Sequence, residues 1–478
     1  MQYPYIVKNG MLSMDRDHAR LSWVPALSRE AGPLYLAIAD ALAADIAAGS
    51  LKEGTRLPPQ RALAGVLGID FTTVSRAYNE ARARGLIEGR VGQGTYVKAR
   101  RKNGGRSSGG GLVDMGMNLP PLFEDPDLVA RMWGGIDALE DERGLELLMR
   151  YQAVGGALPD KAAGAAWLRP RLGEVAVERL LICPGAQGAL LSTVSMLAAR
   201  GDVICAEALT YPGLRSLAAH LGIGFAAVAV DEQGLLPEAF EAACVKHRPK
   251  ALYCNPTLHN PTTATLSLKR REAVIAIARR HGVAIIEDDA YGALPTEPVP
   301  PLATLAPDLV YYVAGLAKCL SPALRIAYLV VPDAVSSIRL EGAIRATAGM
   351  ASPLSAAIAT RWIEDGTADA VLAAIRAEAG RRQRIAAEIL PADRVLTNPE
   401  AFHLWLTLPS GWTRGEFTAR LRTAGISIVT SDAFALANPP EAVRLGLGAA
   451  ETRAELERSL AIIADLLVQS PAAINFVV

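Results

Sequence analysis

The sequence feature that most constrains the fold is a stretch of Gly, Ser, Arg and Lys, ARRKNGGRSSGGG, at residues 99–111. This composition cannot bury a hydrophobic core, so the segment is predicted to be a flexible linker. It divides the chain of 478 residues into parts that must each fold around a core of their own. We expect an N-terminal extension at 1–30, to which the sequence gives no role, a small domain at 31–98 and a large domain at 112–478.

The two domains differ in charge. The whole chain is neutral, with 49 Lys and Arg against 49 Asp and Glu. Residues 31–110 carry twelve Lys and Arg against six Asp and Glu, so the remainder of the chain is acidic by the same six charges. A basic module on a larger acidic body is typical of a protein in which only the first part binds nucleic acid.

The composition also limits the cellular location. No apolar run approaches the roughly 20 residues that span a bilayer, and the N-terminus lacks the basic and apolar regions of a secretory signal. The five cysteines have no CxxC spacing, which is typical of buried thiols in a reducing compartment. The histidines show no HExxH or paired-ligand spacing, so no metal site is predicted. We expect a cytoplasmic protein that does not bind membranes.

The small domain follows the pattern of three short helices and a hairpin. Apolar residues at helical spacing follow Pro33, and LPPQRALAGVLGI predicts a second helix. Asp70 is a suitable N-cap for a third helix, which is predicted to run through Arg84. LIEGRVGQGTYVK is typical of two brief strands joined by a Gly-rich turn. Three helices followed by a β-hairpin make a winged helix-turn-helix.

The third helix and the hairpin carry residues suited to binding DNA. In a helix-turn-helix, the first residues of the second motif helix reach base edges, and other side chains contact phosphate. The candidate base-reading residues are Thr72, Thr73 and Arg76, the candidate phosphate contacts are Arg56 and Arg61, and the candidate wing contacts are Gly92, Gln93 and Gly94. The alternative is a solvated basic face on an ordinary helical hairpin. The stretch from GTRLPPQRALA to GQGTYV resembles GntR-family winged helices over its whole length, and this resemblance implies a double-stranded DNA operator as partner.

The large domain alternates short apolar strands with helices. The predicted strands lie in RLLICPG, DVICAE, KALYCNP, VAIIEDD and DLVYYVAG, each followed by a helix or a loop. Such alternation is typical of an α/β fold with a largely parallel sheet covered by helices.

One segment of this domain, VAGLAKCLSPALRIAYLVVP, is almost wholly apolar yet carries Lys318 and Arg325. A charge removed from water costs several kcal/mol unless it is paired or neutralised. One explanation is that Lys318 lies at a strand end and extends its amine into solvent. The segment also resembles the cofactor-lysine segment of fold-type-I aminotransferases. That resemblance implies a Schiff base between Lys318 and pyridoxal 5'-phosphate (PLP), with Arg325 on the phosphate. A pocket of low polarity would lower the pKa of the lysine and free its amine.

Further stretches fit the same cofactor. CPGAQGAL predicts a strand, a tight turn and a helix start, where backbone N–H groups favour an anion. The phosphate ligands expected there are Gly185, Ala186 and Gln187. The resemblance further implies that Tyr211 stacks on the pyridine, Asn260 lies against the ring hydroxyl oxygen, Asp288 pairs with the pyridinium nitrogen, Tyr291 contacts the phenolate oxygen, Tyr151 reaches the phosphate of the neighbouring subunit, and Arg444 takes a ligand carboxylate bidentately.

Each of these residues, taken singly, has an alternative role, and the sequence departs from the family in places. The acids at 287–289 also fit a metal-binding cluster or a strand end, Asn260 a turn cap, and Tyr211 the core. The departures are Gly315 and Ala317, where the family usually has serines, and Thr263, where it has glycine. Fewer hydroxyl donors should weaken phosphate anchoring, which affects efficient transamination more than cofactor binding.

The whole chain resembles the MocR subgroup of GntR-family transcription regulators, in which a winged helix, a linker and an aminotransferase-like domain follow one another. The resemblance implies a head-to-tail homodimer that senses an amino-group effector by aldimine exchange at Lys318. Two alternatives stay open: an active aminotransferase with a DNA-binding appendage, and a regulator that senses PLP itself.

Overall fold

The computed structural model describes residues 21–25, 33–47, 50–52, 54–84, 86–90, 94–97 and 112–469. The chain divides into an N-terminal unit at 1–107 and a C-terminal unit at 108–478. The predicted linker at 99–111 lies outside the described residues.

The N-terminal unit has the predicted three helices and hairpin. Its elements are α1 (Leu34–Ala47), α2 (Gln60–Leu67), α3 (Phe71–Ala83), β1 (Ile87–Arg90) and β2 (Gly94–Val97), and the two strands pair antiparallel. The predicted N-cap is confirmed, because Asp70 Oδ1 accepts a hydrogen bond from the Thr72 backbone N–H at 2.7 Å.

The core of this unit includes a residue that the sequence analysis assigned to the N-terminal extension. Trp23 is 7% exposed and packs with Ile38, Leu42 and Tyr78. Its indole Nε1 donates a hydrogen bond to Asp45 Oδ2 at 2.8 Å. The indole therefore buries its apolar body and still satisfies its only donor.

The C-terminal unit alternates strands and helices as predicted. Its strands are β3 (Val113–Asp114), β4 (Leu180–Cys183), β5 (Val203–Glu207), β6 (Gly224–Val228), β7 (Val230–Asp231), β8 (Gly234–Leu235), β9 (Ala251–Cys254), β10 (Ala284–Asp288), β11 (Val310–Gly315), β12 (Ala327–Val330), β13 (Val395–Thr397), β14 (His403–Thr407), β15 (Ile426–Ser427), β16 (Val429–Thr430) and β17 (Ala442–Gly446). Its α-helices are α4 (Pro126–Asp137), α5 (Leu139–Met149), α6 (Leu158–Leu172), α7 (Gly185–Leu197), α8 (Pro212–Leu221), α9 (Pro237–His247), α10 (Leu268–His281), α11 (Leu302–Leu305), α12 (Ala334–Thr347), α13 (Pro353–Glu364), α14 (Thr367–Ile389), α15 (Arg414–Thr423) and α16 (Arg453–Val468).

A seven-stranded sheet with the order β4-β12-β11-β10-β9-β5-β6 forms the centre of this unit. The pairings among β11, β10, β9, β5 and β6 are parallel, whereas β12 runs antiparallel to both of its neighbours. Most of these strands are buried along their whole length, because apolar side chains pack against both faces of the sheet. The predicted parallel α/β architecture is confirmed.

A smaller antiparallel sheet, β13-β14-β17-β16, follows near the C-terminus. The segment at 112–119, directly after the predicted linker, contacts this sheet at β17, where the Gly446 N–H donates to the Met115 backbone oxygen at 2.8 Å. Its strand β3 pairs with β15 in a separate two-stranded sheet. A Cβ at Gly446 would lie 2.5 Å from the Met117 backbone oxygen, so only glycine allows this approach. Across the described ranges, no helix combines the length and apolar character needed to cross a bilayer.

Candidate functional site

A cavity of about 580 Å³ lies in the C-terminal unit where parallel strands end. In open α/β sheets the carboxyl ends of parallel strands meet at one edge, where ligands bind. Ten of the predicted site residues line this cavity: Gly185, Ala186, Gln187, Tyr211, Asn260, Asp288, Tyr291, Lys318, Arg325 and Arg444. The structure therefore brings together residues that are widely dispersed along the chain. Tyr151 does not line the cavity and is 94% exposed.

Lys318 follows β11, and its amine points into this cavity rather than extending into solvent. Its Nζ donates a hydrogen bond to the backbone oxygen of Asn118. Burial and the neighbouring Arg444 cation lower the pKa of Lys318 to about 8, while Asp288 opposes this shift. A neutral amine is thus accessible near physiological pH, as nucleophilic attack on an aldehyde requires.

This lowered pKa predicts the pH dependence of the bond between Lys318 and an added aldehyde. The rate of bond formation should rise about tenfold per pH unit up to about pH 8 and level off above it, because only the neutral amine attacks. Stopped-flow absorbance with PLP and the cofactor-free chain measures this profile. Nα-acetyl-lysine is the control, and its rate should keep rising towards about pH 10.4. A protein profile that follows this control would contradict the lowered pKa.

Asp288 is the last residue of β10 and is 5% exposed. Its Oδ2 accepts a hydrogen bond from Tyr253 Oη at 2.7 Å, and its backbone oxygen accepts one from Asn255 Nδ2 at 2.5 Å. Burial raises the pKa of this carboxyl to about 6, although the Tyr253 hydrogen bond acts in the opposite direction. Its Oδ1 is buried with no partner among the described residues. A buried acceptor left free beside the cavity fits a protonated ring nitrogen.

The first residues of helix α7 also line the cavity. Gly185, at its first position, has a φ of +76°. The guanidinium of Arg325 lies close by: a Cβ at Gly185 would be 3.5 Å from Arg325 Cζ. Arg325 itself has a φ of +53°, a conformation that non-glycine residues adopt mainly where the surrounding structure imposes it. Free backbone N–H groups of a helix start and an arginine together suit a phosphate.

Arg444, on β17, is 6% exposed and points towards the same space. Its Nη1 donates to Asn260 Oδ1 at 3.1 Å, and its Nη2 donates to the backbone oxygen of Gly116. Its Cζ lies 5.2 Å from the centre of the Phe434 ring. The guanidinium Nε is buried without a partner in the described part of the chain. The two hydrogen-bond acceptors of this buried cation are uncharged, although the Asp114 carboxylate also favours its charge. Such a cation suits a ligand carboxylate.

The structure adds residues that the sequence analysis missed. The Asn118 Nδ2 donates to Tyr291 Oη at 2.7 Å, and Tyr253 and Asn255 hold Asp288. Asn255 lies within the quoted stretch KALYCNP, directly after the apolar residues that form β9, so its place at a strand end was a signal. Asn118 lies 173 positions from Tyr291 and had no local signal.

The structure shows the local geometry at two positions where the sequence departs from the family pattern. Thr263 has a φ of +63°, which favours the glycine that the family usually has there. A side chain at Gly315 would have its Cβ 3.3 Å from Ala186 Cβ, so the larger residue would crowd the start of α7.

The three acids at 287–289 do not form a metal cluster. Glu287 accepts hydrogen bonds from the backbone N–H groups of Leu302 and Ala303 at 3.0 and 2.9 Å. Successive side chains of a strand point to opposite faces, so Asp288 faces the cavity while its two neighbours do not. Among the described residues, no group of three His, Cys, Asp or Glu side chains is placed to hold a metal ion.

The predicted DNA-binding residues lie on α3, at the start of α2 and on the hairpin. Thr72 Oγ1 donates to Asp70 Oδ1 at 2.5 Å, so this hydroxyl also serves the helix cap. The Cζ of Arg76 lies 4.2 Å from the Tyr35 ring centre, and that of Arg61 lies 5.7 Å from the Phe71 ring centre.

The remaining positions of this set lie near the hairpin or outside the described residues. Arg56 forms a backbone bridge with Tyr96, and its side chain lies close to Gly94. Thr73 is half-buried on α3. Gly92 and Gln93 are outside the described residues. Base and phosphate roles for the whole set stay predictions.

The sequence of the chain matches known families over both units. Residues 137–463 match the family described as "Aminotransferase class I and II", and residues 34–97 match "Bacterial regulatory proteins, gntR family". The chain is 30% identical over 453 residues to the uncharacterized HTH-type transcriptional regulator YdeF of Bacillus subtilis (strain 168), covering 94% of this chain and 97% of that protein. It is also 30% identical over 334 residues to the probable rhizopine catabolism regulatory protein MocR of Rhizobium meliloti, covering 64% and 67% of the two chains.

A solved structure shares the fold of the C-terminal unit. LysN, the α-aminoadipate aminotransferase of Thermus thermophilus, complexed with N-(5'-phosphopyridoxyl)-L-leucine, has a TM-score of 0.67 and 23% sequence identity. The match covers 75% of this chain and 92% of that chain. The chain therefore belongs to the MocR-type HTH transcription regulators, with a GntR-family DNA-binding region followed by a domain of the PLP-dependent aminotransferase class I and II family.

Proposed function

We propose that this chain regulates transcription by binding an operator through its N-terminal unit and an amino-group effector, with PLP as cofactor, at the cavity around Lys318. The observation that carries this proposal is the convergence of ten predicted residues on one cavity, in a chain with a GntR-family region. The fold of the C-terminal unit belongs to a PLP-dependent family. The residues present fit the cofactor, because an unpartnered carboxylate oxygen lies beside the cavity and a helix start with an arginine lines it.

Different residues of the cavity would bind different parts of PLP. When bound, PLP supplies an aldehyde that bonds reversibly to a primary amine, and a ring that withdraws electrons. Lys318 would provide an amine for the aldehyde, and an effector amine would compete with Lys318 for it. Arg325 and the start of α7 would hold the phosphate. Asp288 would favour a protonated ring nitrogen, and Tyr211 would pack against the ring.

Arg444 selects the chemical class of the effector. Its guanidinium is buried, and its hydrogen-bond acceptors, Asn260 and Gly116, carry no charge. A carboxylate satisfies both the charge and the free Nε donor. We infer that the effector carries a primary amine and a carboxylate.

The segment at 112–119 offers a route from this site to the DNA-binding unit. The backbone oxygens of Gly116 and Asn118 accept hydrogen bonds from Arg444 and Lys318. Cofactor attachment and a ligand carboxylate each compete with one of these bonds. Because the segment directly follows the predicted linker, effector binding changes the contacts at the linker's end. Different contacts in two ligand states are what a switch requires.

A homodimer completes the proposal. Aminotransferase-like domains are typically dimeric, and Tyr151 is 94% exposed, as a side chain that reaches a neighbouring subunit must be. The arrangement expected from the resemblance is head-to-tail, with Tyr151 on the partner's phosphate.

The experiment that tests this function measures DNA affinity and effector response together. The PLP-loaded chain is first used to select a DNA duplex that it binds from a random pool. Fluorescence anisotropy then measures binding of the chain to this duplex while amines with and without a carboxylate are titrated into the mixture. Amino acids should change DNA affinity, whereas alkylamines of the same length should not. Replacing Arg444 with Gln should weaken the response to amino acids by about 30-fold or more while cofactor absorbance remains, since removing one partner of a buried charge pair costs about 2–5 kcal/mol.

Three outcomes would contradict the proposal. Failure to select any duplex would argue against operator binding. Steady turnover of an amino acid with 2-oxoglutarate, without a change in DNA affinity, would indicate an active aminotransferase. Release of DNA by PLP alone would indicate a sensor of PLP itself.

A further inference from the structure

We propose that a second cavity of the C-terminal unit binds a small carboxylic acid with an apolar body. This cavity of about 370 Å³ lies on the opposite face of the central sheet from Asp288. Side chains alternate between faces along a strand, so Asp289 faces the second cavity while Asp288 faces the first. Its volume is within the range of small-molecule sites in proteins.

The inner part of the second cavity contains a buried ionic cluster with free hydrogen-bonding atoms. Asp289 Oδ2 accepts hydrogen bonds from Arg171 Nη2 and from Tyr312 Oη, both at 2.6 Å. The Arg171 side chain is 7% exposed and that of Asp289 is fully buried. Within the described residues, Asp289 Oδ1 and the Nε and Nη1 of Arg171 have no partner. Buried polar atoms without partners are few in native proteins, and several around one cavity indicate a polar occupant.

A second arginine lines this cavity. Arg376, on α14, donates from Nη2 to the backbone oxygen of Ala293 at 2.6 Å, and its Nε is buried without a partner among the described residues. The same Nη2 also donates to the Pro295 backbone oxygen at 3.5 Å. Neither carbonyl acceptor offers the guanidinium an opposite charge. Asp369, two turns earlier on the same helix, also lines the cavity but is exposed to solvent. The cavity is therefore lined by a buried cation, Arg171, that Asp289 neutralises, and by a half-buried one, Arg376, that forms no ion pair within the described part of the chain.

The rest of the cavity lining is mainly apolar, and it determines which chemical groups the remainder of the ligand can carry. Trp167, Leu168, Leu372 and Ala314 line the cavity, and the last three are at most 8% exposed. An apolar wall favours a hydrocarbon body and disfavours a second charge, which would lose its hydration there. A planar carboxylate matches the fork of donors that a guanidinium presents. A monocarboxylate with a short aliphatic chain or one aromatic ring satisfies both requirements.

The two cavities are neighbours. Ala290 and Gly315 line both of them, and Cys319, which lines the second, directly follows Lys318. A ligand in the second cavity therefore lies against the turn that carries the cofactor lysine.

Isothermal titration calorimetry of the PLP-loaded full-length chain tests this inference. The probes are phenylacetate and 4-methylpentanoate, and their uncharged amides are the matched controls. Each acid should bind at one site per chain, and each amide should bind at least about tenfold more weakly, since a lost charged hydrogen bond costs roughly 1.5–3 kcal/mol. Absence of saturable binding by both acids would overturn the proposal.

Variants then locate the bound acid. Arg376→Gln should weaken acid binding at least about tenfold, whereas Arg381→Gln, at a more exposed position of the same helix, should leave it unchanged. Leu372→Trp fills the cavity and should abolish acid binding while the absorbance of bound cofactor remains, which also excludes misfolding as the cause.

Two arginines, Arg325 and Arg444, line the first cavity, so the two sites must be told apart. Lys318→Ala and Arg444→Gln should retain acid binding. Acid binding that survives Arg376→Gln and Leu372→Trp but is lost in Arg444→Gln would place the acid in the first cavity and overturn the proposal. Because the Lys318→Ala protein is tested directly, this result does not depend on the effector function.

Discussion

Lys318→Ala is expected to abolish covalent attachment of PLP to the protein and, with it, the response of DNA binding to amines. The lysine is the residue whose amine lies in the cavity with a pKa lowered to about 8, so it reacts at pH values where an exposed lysine is charged. Borohydride reduction followed by peptide mass spectrometry measures the attachment. The wild-type chain should carry the cofactor mass on the peptide that contains Lys318, and the variant should carry none.

The control for this experiment is Lys250→Ala, which removes an exposed lysine that lies 3.9 Å from Asp202. It should leave attachment unchanged. Arg325 and Asp288 remain in the Lys318→Ala protein, so non-covalent binding of PLP should persist. A cofactor mass found on another lysine, or visible absorbance of an amine-bonded cofactor in the variant, would show that the wrong lysine was assigned.

The sequence was sufficient to find ten of the residues that line the first cavity, for a physical reason. Several of these residues lie next to a strand end or a helix start, and such positions are marked locally by an apolar run that stops at Gly, Pro, Asn or Asp. Asn260, in a loop, and Arg444, within β17, were found only through the family resemblance. Asp288 ends β10, and Gly185 begins α7 directly after β4. Parallel strands bring these ends to one edge of the sheet, so a correct prediction of the topology also placed the residues together.

The contacts that the sequence did not reveal are those between segments far apart along the chain. The bond from Asn118 to Tyr291 joins residues 173 positions apart, and Arg171 and Asp289 are 118 apart. Such contacts depend on how helices pack on the sheet, which periodicity along the sequence does not encode. Trp23 was missed for a related reason: a single aromatic residue without a periodic pattern gives no signal that it belongs to the core of another segment.

The second cavity could not be predicted from the sequence for the same reason. Its two arginines lie on α6 and α14, and along the sequence each resembles an ordinary charged position of an amphipathic helix. Only their packing against the face of the sheet that carries Asp289 and Tyr312 reveals donors without partners.

Asp288→Asn is expected to weaken PLP binding by about 2–5 kcal/mol, or roughly 30-fold and more in Kd, because it leaves a protonated ring nitrogen in a buried site without its counter-charge. Equilibrium binding of PLP, followed by quenching of protein fluorescence, measures this loss. Asp308→Asn is the control, since it alters an exposed pair with Arg279 and such pairs contribute about 0–1 kcal/mol to stability. Equal PLP affinity in wild type and Asp288→Asn would contradict the assignment.

The pH dependence of the same affinity gives a sharper test of the pairing. Burial raises the pKa of Asp288 to about 6 in the cofactor-free chain, and a cationic partner favours the ionised carboxylate, so PLP binding below that pH requires loss of a proton. The advantage of wild type over Asp288→Asn should therefore shrink by up to about tenfold per pH unit as the pH falls below about 6, and stay constant above it. Because the phosphate of PLP titrates in the same range in both proteins, the ratio of the two Kd values cancels its contribution. A ratio that does not change across pH 6 would show that the carboxylate of Asp288 does not exchange a proton when the cofactor binds.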